Sequence, residues 1–464
     1  MKKLFMKVVN GFKLAFEKTT SGSVKLVEKF LPDPFIFAIA LTFVVVIISF
    51  FVTKTQPLGL VQAWYGGFWS LLAFAMQMAL ILVTGTILAT APLFKKGLGW
   101  LASIPKNRFT AIIMVSVVSL LASFINWGFG LVIGAIFAKE VAKRVKNIDY
   151  PLLVATAYAG FVIWHAGMSG SIPLALATAG AALGTATGGA VVDPIATSQT
   201  IFSMFNLVIV GVIVVTLPFL LAAMHPKGDK IKTVDPRLLE DEPEPAKKPR
   251  SEMTPAEKLE NSYVVNYLLA AMGFAVIIKF FMDYGFNLNL NIVIFIFLFA
   301  AIALHGTPIA VVRAVNSAAK STGGIILQFP FYAGIMGLMT TQGPTGVSLA
   351  GAISDFFVNV SNETTFPLFS FLSAGIVNVF VPSGGGQWAV QGPIMMPAGA
   401  ALGVDAAKTA MSIAWGDAWT NMIQPFWALP VLGIAKLGAK NIMGYCLIVL
   451  LYTGLIIGLG LLLL

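Results

Sequence analysis

The sequence predicts an all-α polytopic membrane protein: two inverted repeats, about nine crossings, two re-entrant hairpins and two broken helices. Three observations predict it. Hydrophobic residues fill 58% of the 464 positions and charged residues only 11%, where a soluble domain carries roughly a quarter. Lysines and arginines gather in short stretches between long apolar runs, the positive-inside pattern of a multi-pass chain. The same order of runs and interruptions occurs twice, and the basic residues orient the two copies oppositely. The predicted surrounding is a lipid bilayer.

Composition also excludes. The net charge of +10 lies between apolar segments rather than on a patch, so no nucleic-acid partner is predicted. Cys446, the single cysteine, sits in an apolar run and leaves no disulfide framework or cysteine metal site. With three histidines and no H-E-x-x-H, Walker A loop or G-x-S-x-G elbow, neither an enzyme nor an ATP-driven pump finds its residues. No cofactor is expected beyond a coupling ion, Na+ or H+.

The elements follow in order. Residues 1–33 place Lys2, Lys3, Lys7, Lys13, Lys18, Lys25 and Lys29 among apolar residues, without a signal-peptide core and cleavage site. They read as an amphipathic segment on the cytoplasmic surface. The first membrane repeat covers residues 34–224 and opens with spans over Pro34–Val52 and Phe68–Pro92. Lys54 alone marks the loop between them, whereas Lys95, Lys96, Lys106 and Arg108 follow the second, which puts the N-terminus inside. The run Thr110–Ala138 is interrupted at Asn126–Gly130 and flanked by basic residues at both ends, so it reads as a re-entrant hairpin. Two short spans joined by a tight turn are the plainer alternative. Tyr150–Leu183 breaks at Gly167–Ser171, with Ser171 as a candidate cap and Pro173 in the following turn. Ile201–Met224 returns to the inside.

Residues 225–260, rich in proline and mixed charge, read as a flexible cytoplasmic linker. The second repeat, residues 261–464, adds one extra crossing near Asn261–Asp283, which supplies the odd number that inversion needs. A second hairpin is interrupted at Pro382–Gln387 and a second broken helix near Asn421–Pro425, and the C-terminus falls outside. Laid on each other, the halves match Asn126 with Asn378, Ala157–Gly160 with Ile413–Gly416, and Pro173 with Pro430.

Inverted repeats with interrupted helices mark secondary transporters, whose substrate site lies where the breaks meet. Hairpin tips expose backbone N–H groups at helix starts, which suits an anion. The candidate substrate residues are Asn126, Trp127, Gly128, Asn378, Ser383, Gly384, Gly385, Gly386 and Gln387, although the glycines could serve tight turns alone. Asp417, an acid within an apolar stretch, could bind Na+, carry a proton or pair with a cation. His165 is either a proton carrier or a neutral core histidine. Thr420, Asn421, Ser169 and Ser171 flank the breaks; no metal site is firm, and Na+ would lie near Asp417 and Asn421. Trp127, Trp164, Trp388, Trp419 and Trp427 could wall an apolar tail pocket or form an interfacial belt.

At Ile125–Leu131, Pro382–Trp388 and Gly416–Trp427 the chain resembles the bacterial short-chain fatty acid transporter family. The resemblance implies uptake of acetoacetate, butyrate or similar monocarboxylates across the inner membrane. It also implies a hairpin-based carrier, often elevator-like and commonly a homodimer. A small carboxylate is thus the expected partner, by symport. A dicarboxylate or amino-acid carrier and an anion channel are the rivals.

Overall fold

The computed structural model describes residues 34–235, 239, 248–381 and 383–464. The predicted N-terminal amphipathic segment, much of the linker and Pro382 lie outside the described residues. The first half runs α1 (Pro34–Thr53), α2 (Pro57–Gly67), α3 (Leu72–Ala89), α4 (Pro92–Leu101), α5 (Arg108–Ile125), α6 (Trp127–Ala142), α7 (Tyr150–Ala159), α8 (Ser171–Leu176), α9 (Ala181–Ala186) and α10 (Met204–Ala223). A short helix α11 (Pro255–Glu260) precedes α12 (Tyr263–Tyr284). The second half runs α13 (Leu290–His305), α14 (Pro308–Ala319), α15 (Gly323–Thr340), α16 (Leu349–Val360), α17 (Phe366–Phe380), α18 (Gly384–Ala401), α19 (Ala406–Thr420), α20 (Pro425–Ala435) and α21 (Ala439–Leu463).

The order repeats: a long helix, a short one opened by proline, a long one, a short one, a hairpin, a broken pass and a closing helix. Helix α12 stands outside the repeat, as inversion requires. Among the described residues, seven segments are long and apolar enough to cross a membrane. They differ in what covers them. The broken pass over Tyr150–Leu176 is 94% buried within the protein, whereas α12 is 22% buried. The broken pass is therefore the protein's axis, and α12 meets its solvent almost all round.

Local chemistry starts and stops these helices. Asn107 and Thr110 form a capping box at α5, and Asp149, Ser262, Asn289, Ser348 and Asp405 cap α7, α12, α13, α16 and α19. Between apolar helices in an apolar solvent, close approach of small residues holds the packing. Gly160 and Gly416, the matched pair, show it. A Cβ on Gly160 would lie 2.5 Å from the Ser119 backbone, and one on Gly416 would lie 2.3 Å from Phe371 O. Each glycine lets a broken pass lie directly on the first arm of its own hairpin.

Two expectations change. The first break begins earlier than Gly167: the α-helix tightens to 3-10 geometry over Gly160–Ala166, and Ser171 opens α8 without capping it, since Gly170 holds the cap position. The linker is not free throughout, because Asp149 is a buried carboxylate that needs donors. It takes the Lys232 amide at 2.9 Å while the Tyr150 amide donates to Lys232 O at 2.8 Å. His225 Nε2 accepts the Asp149 amide at 3.0 Å. The first linker residues are thereby clasped to the foot of α7.

Candidate functional site

One residue, Asn126, joins α5 to α6. Its extended backbone ends the first helix, and its Oδ1 accepts the Phe129 amide at 2.9 Å to cap the second. The Trp127 amide donates to Ser169 Oγ at 2.9 Å, which ties this tip to the first break. Helix α3 approaches so closely that a Cβ on Gly85 would lie 2.2 Å from Asn126 Oδ1. The tip therefore packs against α3 one turn from that helix's end. Two donors are left over: Asn126 Nδ2 and Trp127 Nε1 are buried without a hydrogen-bond partner.

The second tip also starts its second arm with a polar cap, Ser383 Oγ accepting the Gly386 amide at 3.3 Å. This corrects the match of Asn126 with Asn378. Helix α17 continues past Asn378 to Phe380, so the residue that takes the place of Asn126 is Ser383. Asn378 instead donates to Asp417 O at 2.6 Å and Thr420 Oγ1 at 2.9 Å, lacing hairpin to broken pass. Gln387 turns inward too, donating to Ala374 O at 2.9 Å and Gln391 Oε1 at 2.8 Å. Rings cover the glycines. A Cβ on Gly384, Gly385 or Gly386 would meet His165, Phe329 or Tyr332 at 2.6, 2.9 and 2.5 Å.

The two breaks are bonded across the repeats. His165 and Asp417 are both fully buried, with Nδ1 2.8 Å from Asp417 Oδ2. His165 Nε2 accepts the Ile172 amide at 3.0 Å. A nitrogen that accepts carries no proton, so the neutral ring holds its proton on Nδ1 and donates it to the carboxylate. Trp164 Nε1 donates to Asn421 Oδ1 at 2.8 Å, and Tyr158 Oη to Asn421 O at 2.6 Å. Asn421 Nδ2 donates to Gln424 Oε1 at 3.1 Å, and Gln424 in turn bonds Asn378 O. Thr420 Oγ1 donates to Gly416 O at 3.3 Å. The polar groups flanking the breaks are thus largely spent on one another. Asp417 Oδ1, Asn378 Oδ1 and Gln387 Oε1 are the exceptions, buried oxygens without partners. Among the described residues, no three His, Cys, Asp or Glu side chains gather as a metal cluster.

Three of the predicted tryptophans come together. Trp127 lies 5.9 Å from Trp164 and 5.4 Å from Trp427, ring centre to ring centre. Phe161 closes the circuit, 5.4 Å from Trp164 and 5.8 Å from Trp427. Trp388 lies along its own helix toward Gly392, and Trp419 packs against Phe371 with planes tilted by 36° and Nε1 bonded to Leu450 O at 2.7 Å. Sequence reasoning missed Phe161, Tyr158 and Asn206. Asn206 accepts from Trp415 Nε1 at 3.0 Å and donates to Ala166 O at 3.0 Å. An asparagine within an apolar span was its available signal. Phe161 offered none among so many apolar neighbours.

The family described as short chain fatty acid transporter matches residues 15–464. An Escherichia coli K12 protein named provisionally as a short-chain fatty acid transporter is 45% identical over 437 residues, covering 94% of this chain and 97% of the relative. One from Haemophilus influenzae, named likewise, is 46% identical over 440 residues with the same coverage. The solved Alcanivorax borkumensis YdaH transporter superposes with TM-score 0.59 at 17% identity, covering 93% of this chain and 97% of that one. Neisseria gonorrhoeae MtrF, described among antimetabolite efflux pumps, gives 0.57 at 16%, covering 94% and 96%. At such identity these two speak for the fold alone.

Proposed function

We propose that this chain, which belongs to the short chain fatty acid transporter family, is a secondary active carrier. It moves a short-chain monocarboxylate, such as butyrate or acetoacetate, together with a proton across the bacterial inner membrane. With the basic loops inside, the N-terminus faces the cytoplasm and the C-terminus the outside. The observation that carries this reading is the first tip, where two buried N–H donors without partners stand at the start of α6. Such donors and a helix start suit one carboxylate. Neither tip nor break contains an arginine to pair a second carboxylate, which weighs against dicarboxylates.

The coupling role falls to Asp417. A fully buried carboxylate facing a neutral imidazole leaves a charge where the bilayer penalises it most. A proton on Oδ1, the oxygen without a partner, removes that charge. With His165 Nε2 occupied by the Ile172 amide, the acid rather than the imidazole takes the proton. An anion at the tip and a proton on Asp417 then cross as a neutral pair. Sodium is the second reading, favoured by the three unpartnered oxygens of Asp417, Asn378 and Gln387.

The test is uptake of labelled butyrate into proteoliposomes under separate proton and sodium gradients. Protein-free vesicles are the control, because the protonated acid crosses lipid unaided. Protein-dependent accumulation driven by the proton gradient alone is expected. Asp417→Asn should abolish it while leaving exchange of labelled for unlabelled butyrate. Accumulation that follows sodium would replace the proton, and undiminished accumulation by the variant would sink the role of Asp417.

A further inference from the structure

The four-ring circuit of Trp127, Phe161, Trp164 and Trp427 draws on three separate elements. Trp127 stands at the first hairpin tip, Phe161 and Trp164 in the first break, and Trp427 on α20 in the opposite repeat. Trp164 and Phe161 lie nearly parallel, with planes 10° apart, while Trp127 meets Trp427 edge-on at 83°. At the edge of this cluster Trp127 Nε1 is buried and unpartnered. The same holds for Asn126 Nδ2 on the preceding residue, which is 0% exposed and whose amide already caps α6 through its oxygen. Unpaired buried donors cost free energy unless a ligand meets them. Polar donors at one edge of an apolar ring set are the two halves of a fatty-acid site.

We propose that this circuit is the chain-length gauge: a carboxylate held by Asn126 Nδ2 and Trp127 Nε1 lays its alkyl chain against Phe161, Trp164 and Trp427. The gauge rests on the monocarboxylate reading above and adds the residues that choose among such acids. The rings close on one another, so a chain enters by parting them. The room gained by parting two tryptophans and a phenylalanine is short and bounded, which admits a few methylenes and penalises more. Phe161 stands opposite Trp127 in the circuit, with Trp164 and Trp427 between them. Phe161 and Trp427 set the limit, while Trp127 belongs to the headgroup end.

The experiment is displacement of labelled butyrate from purified, full-length protein in detergent by acetate, propionate, butyrate and hexanoate. Each buried methylene changes affinity about fourfold. Phe161→Ala should therefore raise the affinity for hexanoate relative to butyrate by about 15-fold. Trp427→Phe, a milder change that guards against misfolding, should move the same ratio in the same direction by about fourfold. A merely structural role would lower affinity for all four acids together. Unchanged hexanoate-to-butyrate ratios in both variants, with butyrate still bound, would overturn the gauge and leave the substrate reading standing. Wild-type protein that binds none of the four acids would overturn both.

Discussion

The two hairpin tips share a capped second arm and differ in what lies over it. Each begins its second arm with a polar cap, Asn126 for α6 and Ser383 for α18. At the first tip the cap and the next residue keep two unpartnered donors. At the second, three glycines lie flat beneath His165, Phe329 and Tyr332. An internal repeat therefore need not make two equal sites. The proposed carboxylate site falls on the first tip, whereas the glycines of the second pack closely against rings.

Matched substitutions can break this contrast. Aspartate caps helices as well as asparagine or serine, so Asn126→Asp and Ser383→Asp should both fold. The first puts a carboxylate where the substrate's belongs and should weaken butyrate binding by about 100-fold, near 3 kcal/mol. The second should change it less than about fivefold, within the range of an indirect effect. Equal losses would show that both tips bind. Next in size, Gly386→Ala drives a methyl into Tyr332 and should lower stability by about 2 kcal/mol. Gly128→Ala finds Leu82 O at 3.2 Å and should cost under about 1 kcal/mol, read by thermal unfolding in detergent. A substitution of similar size sharpens the first tip alone: Ser169→Ala removes the acceptor of the Trp127 amide and should cost about 1 kcal/mol.

The order of spans, tips and breaks was legible in the sequence, because charge and glycine punctuate apolar runs wherever the chain turns. Register at the second tip was not. Ile125-Asn126 and Val377-Asn378 look alike, yet α17 runs on for two residues beyond Asn378 before it ends. Apolar helices facing lipid and protein alike carry little periodicity to fix such an offset. Asp417 and His165 were visible as polar residues in apolar surroundings, but their contact joins opposite halves of the chain, beyond what spacing can read. The clasp of the linker by Asp149 was hidden for a different reason, since it uses the backbone of Lys232 and so leaves no mark on residue type.

The contact between His165 and Asp417 bears on how a doubled chain can stop being symmetric. Continuing the match of Gly160 with Gly416, His165 stands opposite Asn421 in the other repeat, and Asp417 opposite Phe161. Two identical halves related by a two-fold axis would form every cross-contact twice, and so would bury two acids at the midplane. In this chain the mate of the His–Asp contact would join an asparagine to a phenylalanine, neither of which ionises. A single polypeptide carrying both halves is free to hold different residues at matched places. One half carries the acid, and its mate is the ring that closes the aromatic circuit.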